Sequence, residues 1–398
     1  MISFEPSEDQ RMMIDAARGF AKSLRTRMRE MESARAVPDD LRKTALEMGL
    51  GTIAIPDAIG GAGLGLATAI LLEEELAMGD AAAAFGFAGP GAFGLAVSEL
   101  GTVEQATQAM TKVQGDTFGA VAWGERTPHR ERPGMTTVAT KADGGYVIRG
   151  EKAYVLNADR ASAFVVFAQV DEARGWDGIG AFLIDKGAAG LSIGARETTL
   201  GLDIASVGSL ELDGVKVAES ARLMGGESFD AATLRFFVKN ALVMAARANG
   251  LSRTAVETTR EYVETRKAFG KPVAHFQAVA FTVADRAMDS AAASAMVLRA
   301  GWMWDAKVPE KEALLASANA ISFALEAAMR CGDDAVQLHG GAGFMRDYPV
   351  EKMMRDSKQL QLCGIPSECA DQLAAAVLVG KRIDLGLLPN AESQSALV

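Results

Sequence analysis

Apolar residues near the start of the chain recur every three or four positions. Met12, Ala16, Phe20 and Leu24 fall on one helical face, and Ser7 with Gln10 forms a capping-box pattern just before them. A second helix is predicted near Asp39–Met48, ending at Gly49, and a third around Leu66–Met78 with Glu73–Glu75 on its exposed side. The apolar run Ala81–Ala96 is broken by five glycines or prolines, which predicts a buried, turn-rich segment. From about Phe118 the period shortens. Thr136–Ala142 alternates and meets Asp143-Gly144-Gly145 before Tyr146-Val147-Ile148, a hairpin signal. Phe164–Phe167 and Gly180–Ile184 are short apolar runs, and Leu210–Val217, turning at Asp213-Gly214, is a second hairpin candidate. No helical pattern separates these strands, so an antiparallel sheet is expected. After Gly225-Gly226 the pattern is helical over roughly 230–268, 275–306, 310–332 and 367–381, an antiparallel bundle. The reading is an α+β fold with helical domain 1–117, β domain 118–225 and helix bundle 226–398.

Composition narrows the class. A length of 398 residues calls for two or three packed domains. Hydrophobic residues at 49% and charged ones at 23% are the balance of a soluble globular protein. A net charge of −10 without a basic run argues against nucleic acid and membrane surfaces as partners. No signal-peptide pattern opens the chain, and no apolar stretch is long enough to span a bilayer. The three cysteines, Cys331, Cys363 and Cys369, lack paired spacing and point to the reducing cytoplasm. His129, His275 and His339 have no metal-ligand spacing, so no metal site is expected.

Three stretches carry candidate chemistry. Gly60-Gly61-Ala62-Gly63-Leu64-Gly65 has the glycine content of a phosphate loop, but its helical surroundings favour a turn before a helix. Tyr262, Arg266 and Phe269 stand at i, i+4 and i+7 of one predicted helix that Gly270 and Pro272 end. There Arg266 could complement the helix dipole or fork onto a diphosphate. Gln337-Leu-His339-Gly340-Gly341 is equally a helix C-cap or a backbone that approaches a ligand closely.

The longer strings around these residues resemble the acyl-CoA dehydrogenase family. They are Tyr262 through Gln277, and Gln337 through Phe344 followed by Asp347-Tyr348-Pro349-Val350-Glu351 and Arg355-Asp356-Ser-Lys358. The likeness covers nearly the whole chain. It implies an N-terminal helical domain, a middle antiparallel β-barrel-like domain and a C-terminal four-helix bundle, assembled as a tetramer with FAD and an acyl-CoA thioester. It assigns Arg266, Phe269, Gln277, Gln337, Gly340 and Gly341 to the adenosine and diphosphate end of FAD. Trp123, Glu125, Tyr154 and Asn157 take the flavin side. Electron-transferring flavoprotein is the implied acceptor.

In that family a glutamate takes the α-proton while the β-hydrogen leaves as hydride to the flavin. Six residues past Lys358, where that glutamate is expected, stands Gly364, and Ile365-Pro366-Ser367-Glu368 keeps the Ser-Glu ending. The alternative family position, on a bundle helix, falls on Lys239-Asn240-Ala241. Gly364 can offer only its backbone N–H. The family's Thr-Glu-Pro-x-x-Gly-Ser-Asp stretch is replaced by Gly124-Glu125-Arg126-Thr-Pro-His-Arg-Glu, and Trp-Ile-Thr-Asn by Tyr154-Val155-Leu156-Asn157. In the family's tetramers one subunit supplies flavin pocket and base, and its neighbour grips the adenosine end. Here the second set survives and the first has eroded. Three functions are compatible. One is the base-less subunit of an α2β2 heteromer. Another is a homotetramer with lyase-type chemistry, in which Arg126, Arg130 or Lys239 meets an anionic substrate. The third is a non-catalytic acyl-CoA binding module.

Overall fold

Ser7 starts the first helix as its pattern requires. In this computed structural model, which describes residues 5–126, 133–225, 228–383 and 385–388, the Gln10 N–H donates to Ser7 Oγ (3.2 Å) and the Ser7 N–H to Gln10 Oε1 (2.9 Å). Helices α1 (Glu8–Thr26), α2 (Met28–Ala34) and α3 (Asp39–Glu47) lead to α4 (Leu66–Asp80), α5 (Gly91–Leu100) and α6 (Val103–Met110). The Ala81–Ala96 run forms a buried turn, Ala83–Gly86, and then the first part of α5.

Helix α4 corrects one expectation. Glu74 and Glu75 are buried, not on a solvated side. The helix packs against α1, α7 (Phe229–Thr265) and α8 (Gln277–Asp305), so it has no outward face. Its acids persist because each meets a guanidinium: Glu75 meets Arg18 and Arg253, and Glu74 meets Arg253. Gly250 of α7 lets the two helices touch, since a Cβ there would stand 2.2 Å from the Glu74 carbonyl oxygen.

The middle of the chain builds one sheet. Its strands are β1 (Phe118–Ala122), β2 (Val138–Ala142), β3 (Gly145–Leu156), β4 (Ala161–Gln169), β5 (Ile179–Asp185), β6 (Leu191–Ile193) and β7 (Val207–Ala218). Their order is β1-β4-β2-β3-β7-β6, with β5 on β4. The predicted β2–β3 hairpin forms. The second hairpin candidate does not, because 207–218 is one strand. Gly214 (φ 72°) is the extra residue of a bulge, set between the Val215↔Ile148 and Asp213↔Arg149 pairs. Pairing is mostly antiparallel, and β1 runs parallel to β4. The apolar run in β4 is continuous because both faces are covered. Phe164, Val166 and Ala168 join the core of the sheet domain, while Ala163, Val165 and Phe167 join the helical core.

The C-terminal helices are α7, α8, α9 (Glu310–Leu338), α10 (Val350–Leu360) and α11 (Ser367–Val379). Between α7 and α8 lies a small hairpin, β8 (Lys267–Ala268) and β9 (Lys271–Pro272). The expected shared helix face of Tyr262, Arg266 and Phe269 is therefore wrong. α7 stops at Thr265, Arg266 is extended, and Phe269 (φ 51°) with Gly270 (φ 82°) makes a two-residue turn.

Candidate functional site

A cavity of about 930 Å³ lies where α4, α7, β1 and β3 meet the 199–200 and 359–368 segments. It brings together Trp123, Glu125, Tyr154, Asn157 and Gly364. Trp123 is fixed edge-on to Phe167 and Phe237, each with ring centroids 4.9 Å away. Tyr154 is exposed, has φ 57°, and carries Arg126 over its ring at 5.6 Å. Asn157 Nδ2 donates to the Phe85 carbonyl (3.0 Å), whereas its Oδ1 is buried with no partner among the described residues.

Glu125 is committed to structure. It accepts from the fully buried Lys152 (2.8 Å) and from the Thr136 and Thr137 N–H groups (2.7 and 2.9 Å). Burial alone would raise its pKa, yet the Lys152 ammonium and the Thr136 bonds hold it down to about 2. Burial pulls the Lys152 pKa below its ordinary value, against the attraction of Glu125.

Gly364 has φ 71°, and a Cβ there would make only ordinary contacts, 3.4–3.5 Å, with Ala241 and Met244. No clash demands glycine; the left-handed backbone does. Among the described residues, three carboxylates line the cavity: Glu73, Glu125 and Glu368. Glu125 is held by Lys152, and Glu368 is exposed in the first turn of α11. Glu73 accepts from Arg247 Nε (2.8 Å) and Nη2 (3.1 Å). Glu125 is thus neutralised by an ammonium and Glu73 by a guanidinium, while Glu368 faces solvent at the start of α11. The Glu73–Arg247 pair was missed from sequence, although a lone arginine in Ala245-Ala246-Arg247-Ala248 is an anomaly that could have marked it. Next to Gly364, burial pushes the Cys363 thiol up to about 12, with Arg247 opposing the rise.

The cavity wall is pinned from below. Lys352, 1% exposed, donates to Asp80 (2.8 Å) and Asp356 (2.6 Å). Asp356 in turn accepts the Leu202 N–H at 2.6 Å, and Arg355 joins Glu351, Glu32 and Asp203. These bonds anchor the 199–203 segment to α10.

Arg266, Phe269, Gln277, Gln337, Gly340 and Gly341 lie elsewhere. All six are exposed and none lines the cavity. The ends that carry them are joined by Tyr262. Its ring stacks on His339 at 4.1 Å and its hydroxyl donates to the His339 carbonyl (3.2 Å). Burial lowers the His339 pKa. The segments that carry these residues also expose large apolar side chains among their charged ones: Phe269 is 95% exposed, Phe344 70%, Met288 63% and Phe281 62%. No residue of α8 before Ser290 is buried.

The glycine loop at 60–65 is a turn before α4. The first N–H groups of that helix, Leu66 and Ala67, already donate to the Asp305 carboxylate at 2.8 Å. Arg126 is paired with Glu151 and Glu197, and Lys239 with Glu99; neither lines the cavity. Arg130 and His129 lie outside the described residues. Among those described, no group of His, Cys, Asp and Glu could hold a metal ion, and no helix is long and apolar enough to cross a membrane.

Three family models match the chain: the N-terminal (residues 7–115), middle (122–215) and C-terminal (229–378) domains of acyl-CoA dehydrogenase. An acyl-CoA dehydrogenase of Bacillus subtilis is 31% identical over 94% of the chain and 99% of that relative. Benzylmalonyl-CoA dehydrogenase of Aromatoleum aromaticum is 30% identical over 92% and 97%. The structure of butyryl-CoA dehydrogenase from Megasphaera elsdenii superposes with a TM-score of 0.87 at 28% identity, over 95% of the chain and all of that structure.

Proposed function

The chain belongs to the acyl-CoA dehydrogenase family, and from that premise we propose that it is the base-less subunit of a heteromeric enzyme. In this reading it binds an acyl-CoA thioester in its cavity and completes the FAD site of a catalytic relative. The observation that carries the proposal is the separation of two clusters: the cavity, where among the described residues Glu73 and Glu125 are paired and a glycine stands at 364, and the exposed cluster led by Arg266. FAD supplies a hydride acceptor for acyl-CoA α,β-dehydrogenation in this family.

The residues present fit such a group at both ends. In the cavity, Trp123 and Tyr154 offer aromatic walls and Asn157 Oδ1 an unsatisfied acceptor. Outside it, the Arg266 fork suits a diphosphate, and Gly340-Gly341 expose bare backbone with nothing within 4 Å of an added Cβ. The exposed apolar side chains of Phe269 and Phe281 support burial against another subunit. Glu125 would not touch the flavin; its work is to neutralise Lys152. Gly364 can polarise a thioester carbonyl through its N–H but cannot accept a proton, and the Leu156 side chain has no hydrogen-bonding group. The two electrons left on the flavin need an acceptor, and in this reading electron-transferring flavoprotein takes them in the mixed complex.

Co-expression with a base-containing relative tests the proposal. A mixed tetramer that retains FAD and oxidises acyl-CoA, beside an inactive chain when purified alone, is the expected result. Full activity and full flavin content in the isolated chain would refute it. The lyase-type alternative finds no support in Arg126 or Lys239, because both are spent on carboxylates outside the cavity.

A further inference from the structure

The cavity holds a buried charge pair that base-dependent chemistry does not use. Arg247 (8% exposed) on α7 and Glu73 on α4 face each other through two bonds, and the guanidinium lies over the Phe85 ring at 4.5 Å. Glu73, Phe85 and Arg247 all line the cavity. The pair consumes Nε and Nη2. For Nη1 the contact recorded among the described residues is Met244 Sδ at 3.9 Å, and a thioether is a weak acceptor. Met244 also lines the cavity, with its Cγ 3.5 Å from the position of a Cβ on Gly364. A cationic donor with capacity to spare thus stands one side chain away from Gly364, in a wall that is otherwise largely apolar.

We infer that Arg247 reads a neutral oxygen, a carbonyl, hydroxyl or ether, on the acyl portion of the bound thioester, so that the preferred ligand is an oxygenated acyl-CoA. The charge balance selects neutrality. Glu73 already cancels the guanidinium, so a ligand carboxylate would leave one uncompensated charge in a buried site, a costly arrangement. A plain hydrocarbon chain would cover Nη1 and strip it of water without replacing the bond. Glu73 acts as a positioning residue: its bidentate grip fixes the fork and directs the remaining nitrogen. The inference rests on the reading of the cavity as the acyl-thioester pocket.

The test is calorimetric titration of the full chain with three ligands. These are octanoyl-CoA, oxo-octanoyl-CoA esters carrying the carbonyl in the distal half of the chain, and the CoA ester of octanedioic acid. A hydrogen bond to a charged donor predicts that one oxo ester binds at least about tenfold more tightly than octanoyl-CoA. The diacid ester should gain nothing. The double variant R247M/E73Q, which removes both charges together, should bind octanoyl-CoA and lose the discrimination to within about twofold. Should that variant fail to fold, the wild-type comparison decides alone. Equal binding of octanoyl and oxo esters, or tightest binding of the diacid ester, overturns the inference and leaves the acyl-CoA reading standing. Binding of none of the esters overturns both.

Discussion

Replacing Arg266 by alanine separates the inter-subunit reading from a merely structural one. Arg266 is exposed and makes no ion pair among the described residues, while its backbone N–H donates to the Tyr262 carbonyl at 2.8 Å whatever its side chain. Removal therefore breaks nothing within the subunit, and stability should change by no more than about 0.5 kcal/mol. In the mixed complex the same side chain would grip a diphosphate. A hydrogen bond to a charged group is worth about 1.5–3 kcal/mol net, so FAD affinity should fall roughly 10- to 150-fold. R266K keeps the charge without the planar fork and should fall between the two. The assay is FAD titration of the flavin-depleted complex, followed by flavin fluorescence, with thermal melting of the isolated chain in parallel. FAD affinity within twofold of wild type in a properly assembled complex would refute the assignment. A fall in affinity accompanied by a lower melting temperature of the isolated chain would mark Arg266 as structural instead.

The buried networks give further expectations. Lys352→Met strands Asp80 and Asp356 without their cation and should cost about 3–5 kcal/mol by urea denaturation at neutral pH. One stranded carboxyl then acquires a raised pKa, so the deficit should shrink as pH falls and grow as it rises; a pH-independent deficit would contradict this. Because the folded Glu125 pKa is lowered to about 2 from 4.5, its contribution is present above about pH 4.5 and is lost as pH falls toward 2. E125Q should lack that part of the acid limb in pH-dependent melting. With its pKa pushed up to about 12, the Cys363 thiol is ionised to only about one part in 10⁴ at pH 8. Iodoacetamide should label it in native protein at least about 100-fold more slowly than in urea, as read by mass spectrometry.

What could be read in the sequence was local. Ser7 and Gln10 announce α1 because a capping box closes within four residues, and Asp143-Gly144-Gly145 announces the β2–β3 turn for the same reason. Gly214 carries the same kind of signal but sits in a bulge, because β3 opposite it is long enough to pair with both halves of 207–218. Phe269 kept a helical spacing from Tyr262 that its positive φ breaks, and periodicity cannot see that. Glu73–Glu75 read as solvated because their arginine partners lie far along the chain; Glu73 and Arg247 are 174 residues apart. At the site, the register from Lys358 leads to Gly364, and the structure places Gly364 in the cavity wall. The engagement of Glu125 with Lys152 was not, because it depends on how β1 and β3 meet.

Backbone strain argues that the cavity is a maintained site although a glycine stands at 364. Six non-glycine residues among those described have positive φ: Arg35, Tyr154, Asn157, Leu202, Phe269 and Lys307. Each costs on the order of 1 kcal/mol and persists only where its surroundings enforce it. Tyr154 and Asn157 line the cavity, and Leu202 follows its wall; Phe269 heads the outer cluster. The enforcing bonds are visible. Asp356, held by Lys352, fixes the Leu202 N–H, and the Phe85 carbonyl and Ser206 carbonyl fix Asn157 at 3.0 and 2.5 Å. A chain needing this region only as packing would gain stability from relaxed backbone and from an apolar replacement of Lys352 with both aspartates. On the proposed reading, strain in both clusters serves one end: one face would present Arg266 to a neighbour's cofactor while the chain's own pocket would hold a thioester in a fixed pose.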